Sequence, residues 1–198
     1  MNKIIKDIEK YIPYNEQEEH DKKVMLKLLN TNKNLLDRNI LEYHITASSW
    51  IVNEDYNKVL MVYHNIYDSW SWTGGHADND SDLLNVAIKE AKEETGIKNI
   101  KPLLEEIFSL EILCVDGHIK KGKYVNSHLH LNITYLLCGN ENDNLIIKED
   151  ENSNVKWFNI DEVISASNEK WFRENIYSKL NKKFKEQFSV NKWKKNIL

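Results

Sequence analysis

With 198 residues and 27 basic against 31 acidic side chains, a formal net charge of −4, the chain is long enough to bury a core as one domain with extensions, and it lacks the charge balance of a general nucleic-acid binder. Cys114 and Cys138 each sit in an apolar, strand-like run, which reads as two buried free thiols rather than a disulfide. The first residues lack the apolar core of a signal peptide and no stretch reaches the length of a membrane span, so the expectation is a cytoplasmic protein with no membrane partner.

Residues 1–42 read as a helical N-terminal extension, with Met25, Leu26, Leu28 and Leu29 among charged neighbours. A lid, a homodimer surface and packing on a sheet all suit it, and packing is the simplest. Strands are expected near 43–53, 57–65, 104–118, 124–138 and 153–159, and helices near 82–95, 161–166 and 168–184. Strands mixed with a few helices fit a mixed sheet between helical layers. The domain divisions expected are 1–42, a central domain over 43–166 and a C-terminal helical extension over 167–198.

The helix expected over 82–95 carries the strongest signal. At about 100° per residue, Glu90 and Glu94 lie roughly 40° apart, and Glu93 lies about 60° to the other side of Glu90. Leu83, Leu84, Ala87, Ile88 and Ala91 form an apolar arc; Asp82, Asn85, Lys89 and Lys92 lie opposite. Glu94 falls inside the apolar arc, so Glu90 and Glu94 are expected to be partly buried. Like charges at i,i+4 repel, and carboxylates in a last turn, here closed by Gly96 as C′, oppose the helix dipole. Broken local rules are expected at functional sites, and a hard divalent cation held by oxygen ligands would supply the compensation. The plainer alternative, a charged surface helix with Lys89 and Glu93 paired at i,i+4, explains Glu93 but not Glu94.

Upstream, the apolar strand at 58–63 leads into Trp70-Ser71-Trp72-Thr73-Gly74-Gly75-His76. Paired glycines let a backbone approach an ion closely. Strand, glycine loop and acidic helix can therefore offer a main-chain carbonyl and carboxylates to one metal.

Residues 75–97 resemble the Nudix box, Gly-x5-Glu-x7-Arg-Glu-hydrophobic-x-Glu-Glu-x-Gly-hydrophobic. Gly75, Glu90, Ala91, Glu93, Glu94, Gly96 and Ile97 take their places in it, while Ser81 stands for the first glutamate and Lys89 for the arginine. Residues 70–75 resemble the Trp-x-x-Pro-Gly-Gly lead-in, with Thr73 for proline. Residues 154–158 before Asp161, Glu162 and Val163 resemble the closing Trp-Phe strand and acidic helix start. The resemblance implies an α/β (α+β) fold, a Nudix-like α/β/α sandwich with a mixed β-sheet. It also implies a pyrophosphohydrolase dependent on Mg²⁺, or Mn²⁺, that cleaves a small nucleoside diphosphate linked to another group. Glu90 and Glu94 would be the principal metal ligands, the Gly75 carbonyl a further one, and Glu93 an outer ligand or a base held by Lys89.

The departures matter physically. Lysine is a flexible point charge where arginine offers a planar fork, and the Ser81 hydroxyl cannot replace a carboxylate, although Asp78, Asp80 and Asp82 lie close by. A non-catalytic nucleotide-binding module with this fold therefore stays open, and a prenyl-diphosphate isomerase comes last because neither cysteine adjoins the glycine loop.

Candidate substrate contacts are Trp70 and Trp72, which can stack on a base, together with His76, His128 and His130; core packing is the commoner fate of tryptophans. From 127 to 137, Leu129, Leu131, Ile133, Tyr135 and Leu137 alternate with His128, His130, Asn132 and Thr134, and His44, Thr46 and Ser48 continue the polar theme. Such a polar side needs a substrate cleft or solvent to satisfy it. His128 and His130 share a face but lack a third zinc ligand. Lys182, Lys183, Lys185, Lys192, Lys194 and Lys195 interleave with Phe184, Phe188 and Trp193, and a docked helix with solvated lysines is preferred to a nucleic-acid or membrane contact because no charge run is unbroken.

Overall fold

The computed structural model describes all residues except Lys33, Lys121 and 189–198, so Lys192, Trp193, Lys194 and Lys195 lie outside the described residues. In chain order the elements are α1 (Asn2–Lys10), α2 (Glu16–Thr31), β1 (Tyr43–Asn53), β2 (Lys58–His64), β3 (Ser69–Ser71), β4 (Thr73–His76), α3 (Leu83–Thr95), β5 (Ile100–Pro102), β6 (Ser109–Val115), β7 (His118–Lys120), β8 (Lys123–Val125), β9 (His128–Gly139), β10 (Asn152–Asn159), α4 (Val163–Ala166), α5 (Lys170–Phe172), a π-helical stretch (Arg173–Tyr177) and α6 (Ser178–Phe188). The main sheet follows the order β10-β2-β1-β9-β5, with β3 also on β2, β4 on β1 and β6 on β9. The Leu129 N–H bonds the Glu42 carbonyl, and Asn132 bonds Thr46 and Ser48. Numbers therefore rise together along β1 and β9, which run parallel, whereas β2–β10 and β6–β9 are antiparallel. The fold is α+β with a mixed sheet.

The chain divides into two compact units, and α3, β1 and β9 each contribute to both. In the first unit (1–49, 74–90 and 104–135), Asn15 caps α2 by accepting from the Glu18 N–H at 3.0 Å, and Glu16, Glu18 and Glu19 suit the positive end of that helix. Helix α2 covers the free edge of β6. Its Gln17 donates to the Leu110 carbonyl at 3.2 Å and its Asp21 accepts from the Ile112 N–H at 3.0 Å, so the edge strand is not left open to other chains. Ile4, Ile8, Met25, Leu29, Phe108, Leu110 and Ile133 are buried here, so the N-terminal helices pack on the sheet.

The polar side of β9 does not depend on solvent. Asn132 accepts from Thr46 at 2.9 Å and Ser48 at 2.8 Å and donates to Glu111 at 3.0 Å, while Thr134 donates to Glu111 at 2.8 Å. Ser109 links Glu111 to Glu18, which also accepts from Tyr11. Asn132, Thr134, Glu111, Ser109 and Glu18 are all buried; facing polar strand sides satisfy one another, as burial requires.

In the second unit (50–73, 91–103 and 136–198), β2 pairs with β10 from Asn154↔Tyr63 to Asn159↔Lys58. Tyr177 is fully buried, stacked on Trp50 at 5.8 Å and edge-on to Trp72 at 5.7 Å, with its hydroxyl 3.2 Å from Ser71 Oγ. Gly96 ends α3 at φ 70°, and the Ile146 side chain fills the space a Cβ would need, as a C′ glycine does.

Several expected boundaries differ. Residues 69–76 form β3 and β4 rather than a loop; runs of three and four residues with two glycines carry no alternation, and pairing with β2 and β1 decides their state. The strand expected over 104–118 narrows to β6, and that over 124–138 becomes β8 and β9, because Gly122, at φ 76°, turns a separate β7–β8 hairpin. The helix expected over 168–184 is broken into α5, the π stretch and α6. Cys138 is a buried free thiol as expected, but Cys114 is exposed: it sits opposite the exposed Leu129 on the outward side of β6.

Candidate active site

Strand β4 brings Gly74 and Gly75 against β1. A Cβ on Gly74 would lie 2.8 Å from the Ala47 carbonyl oxygen, and the Ala77 N–H bonds the Ile45 carbonyl at 3.1 Å. The chain then turns through Asp78 and Asn79, both at positive φ (48° and 68°), which aspartate and asparagine tolerate better than most residues. Asp78 pairs with Arg38, whose guanidinium holds its carboxyl below the usual range. Asp80 accepts from the Asp82 N–H at 2.8 Å and Asp82 from the Asn85 N–H at 3.3 Å, so these carboxylates shape the turn and open α3. Ser81 is exposed.

Helix α3 carries its apolar arc inward. Leu83, Val86, Ala87 and Ala91 are buried, Leu84 and Ile88 partly so. Lys89 and Glu93 are exposed, Glu90 is half-buried and Glu94 is buried, at 5% exposure; a glutamate facing the core this way matches its place on the helical wheel. The Glu90 carboxylate lies over the backbone of Gly75: a Cβ there would stand 2.7 and 2.8 Å from its two oxygens. Only glycine leaves room for that contact. A carboxylate resting on a glycine main chain offers hard oxygen donors of the kind Mg²⁺ and Mn²⁺ take.

Of the candidate substrate contacts, the tryptophans and the histidines part company. Trp72 is buried against Tyr177, and Trp70 is half-buried and edge-on to Tyr63 at 5.4 Å and Phe158 at 4.7 Å. Both rings are engaged in packing. His76, His128 and His130 instead converge, and His44, which sequence reasoning placed only on the polar side of its strand, joins them. The four rings offer ligand atoms that all lie within 4.8 Å of one another. Burial pushes His130 down to about 2 and His76 down to about 3, with the neighbouring His76 and Arg38 charges, respectively, acting in the same direction. Burial also lowers His44. The signal that could have found His44 is the shared polar alternation of β1 and β9.

The sequence matches the NUDIX domain family over residues 42–180. It is 28% identical over 141 residues to an RNA pyrophosphohydrolase of Pelagibacter ubique, covering 69% of this chain and 87% of that protein. Among solved structures, a NUDIX-family hydrolase from Clostridium perfringens superposes with a TM-score of 0.52 at 20% identity, covering 73% of this chain and 98% of that one. A C. elegans Ap4A hydrolase in a binary complex gives 0.51 at 22% identity, covering 72% and 96%. At these identities the structural likenesses speak to the fold. Among the described residues, no helix is long and apolar enough to cross a membrane.

Proposed function

This chain belongs to the NUDIX family and is a hydrolase of pyrophosphate bonds, and on that premise we propose that its substrate is a nucleoside diphosphate linked to a further group, cleaved with Mg²⁺ held by Glu90, Glu94 and the Gly75 carbonyl and with Glu93 as the base. The observation that carries this is the Glu90 carboxylate lying on the Gly75 backbone. A divalent cation bound there supplies charge neutralisation on the phosphoryl oxygens and a lower pKa for attacking water. With a cation so held, Glu93, exposed on α3, would accept the proton of the attacking water as its oxygen bonds phosphorus and the bridging P–O bond breaks, the nucleoside monophosphate or the phosphorylated second group leaving. Lys89, exposed and one residue before Glu90, orients the carboxylates as a flexible point charge. Phosphoryl transfer asks mainly for positioning and charge stabilisation, so no Ser, Cys or His nucleophile is required. Ser81 removes one carboxylate present in the family pattern, and Asp78, Asp80 and Asp82 are engaged with Arg38 and the turn; the base role therefore falls to Glu93.

The test is turnover of nucleotide sugars, dinucleoside polyphosphates and nucleoside triphosphates, read as released phosphate or nucleoside monophosphate. Release that requires Mg²⁺ and disappears in Glu94→Gln supports the proposal. Release that persists in Glu94→Gln, or without a divalent cation, refutes it.

A further inference from the structure

We propose that His44, His76, His128 and His130 form a second metal site, selective for a borderline transition-metal cation, Zn²⁺ by preference, and separate from the carboxylate site of α3. All four belong to the first unit, and three stretches of chain deliver them: the start of β1, the end of β4 and the start of β9. Tetrahedral zinc with Zn–N bonds of about 2.0–2.1 Å sets its nitrogens about 3.3 Å apart. His128 Nε2 and His130 Nε2 already stand 3.1 Å apart, and the whole set lies within 4.8 Å. Closing the rest asks for small ring rotations, and His76 and His130 are only half-buried.

The outer hydrogen bonds are those of a ligand set. His128 Nδ1 lies 2.8 Å from the Asn126 carbonyl and His44 Nδ1 lies 3.0 Å from the Ile40 carbonyl. A carbonyl oxygen only accepts, so each Nδ1 carries the hydrogen and each Nε2 turns its lone pair elsewhere, the arrangement that orients metal-bound imidazoles. His44 Nε2 is buried and has no hydrogen-bond partner among the described residues. A buried acceptor left unsatisfied calls for an explanation, and a shared cation provides one. With the Nδ1 of His44 and of His128 each given to a backbone carbonyl, the Nε2 lone pairs suit a cation rather than an anionic substrate group as the occupant. Imidazole donors suit Zn²⁺, Co²⁺ and Ni²⁺, whereas Mg²⁺ prefers oxygen, so the two clusters sort cations by chemistry.

The experiment titrates Co²⁺ and then Zn²⁺ into the full-length, untagged protein in excess Mg²⁺ and follows the visible ligand-field bands of Co²⁺. One equivalent of Co²⁺ should give bands of four-coordinate nitrogen ligation that Zn²⁺ abolishes, unchanged in Glu90→Gln. Affinity should fall at least about tenfold in His130→Gln and in His128→Gln. Zn²⁺ should raise the Tm of the wild type and not of His130→Gln, whose metal-free unfolding serves as the check that it is folded. No Co²⁺ bands in the wild type, bands that persist in folded His130→Gln, or bands lost in Glu90→Gln would each overturn the proposal.

Discussion

The carboxylates of α3 and the imidazoles gathered by β1, β4 and β9 are two polar clusters assembled in opposite ways. The first is local: Glu90, Glu93 and Glu94 fall within one helical turn and span the range from buried to exposed. It offers charged, hard oxygen donors, with Glu90 set on a glycine backbone. The second is assembled from positions 44, 76, 128 and 130, with two of its rings pinned by backbone carbonyls. Gly75 and His76 are adjacent in the chain, so one short strand serves both. What the contrast teaches is that donor chemistry, more than proximity, distinguishes the two: oxygen donors of the kind a hard cation takes on one helix, nitrogen donors of the kind a transition-metal cation takes between strands.

The largest expected effect separates the two clusters outright. Glu90→Gln and Glu94→Gln should each lower kcat by on the order of 10²–10³-fold, since each removes charge stabilisation aimed at the reacting phosphoryl group; a drop below tenfold in both would break the assignment of α3 as the catalytic element. Gly75→Ala comes next. Its methyl must displace the Glu90 carboxylate, whose oxygens lie 2.7 and 2.8 Å from the Cβ position. A misplacement of about 1 Å costs roughly 10²-fold in rate, and steady-state kinetics should show it in kcat with little change in unfolding temperature.

A third measurement asks whether the polar ladder between the strands is structural. Asn132→Leu removes the acceptor of Thr46 and Ser48 and one of the donors to Glu111, which keeps Thr134 and Ser109, and leaving the two buried hydroxyls without that acceptor should cost about 2–3 kcal/mol in urea unfolding. Smallest is a control outside both clusters. Burial raises the Glu169 carboxyl from its ordinary 4.5 to about 7, so between those values the folded chain keeps a proton that the unfolded chain has released. The stability contribution is full below the ordinary value and is lost as pH rises through about 7. Glu169→Gln should abolish that decline and gain about 1 kcal/mol at pH 8 once partial exposure is allowed for; urea midpoints at pH 5 and pH 8 measure it.

The difference between local and assembled clusters also explains what the sequence discloses. Helix α3 is legible because its apolar arc, the Gly96 stop and the inward place of Glu94 all follow from one short period, and the burial of Glu94 agrees with it. Strands β3 and β4 are not, since their hydrogen bonds come from β2 and β1 and their own residues show no alternation. The polar side of β9 was visible as a pattern, yet its partners were not. Thr46 and Ser48 carry the matching pattern on β1, but only the parallel register of the two strands reveals that they meet Asn132. His76, 32 positions after His44, is brought in by the pairing of β4 with β1, and His128 and His130, 84 and 86 positions on, by the register of β1 and β9; no local rule joins them.

Mn²⁺ binding followed by electron paramagnetic resonance tests the central claim most directly, because it reads the carboxylate site without any choice of substrate. With the imidazole site first filled by Zn²⁺, the wild-type protein should bind Mn²⁺, release it to excess Mg²⁺, and lose this binding in Glu90→Gln while keeping it in His130→Gln. Equal Mn²⁺ binding by the wild type and Glu90→Gln would contradict the account.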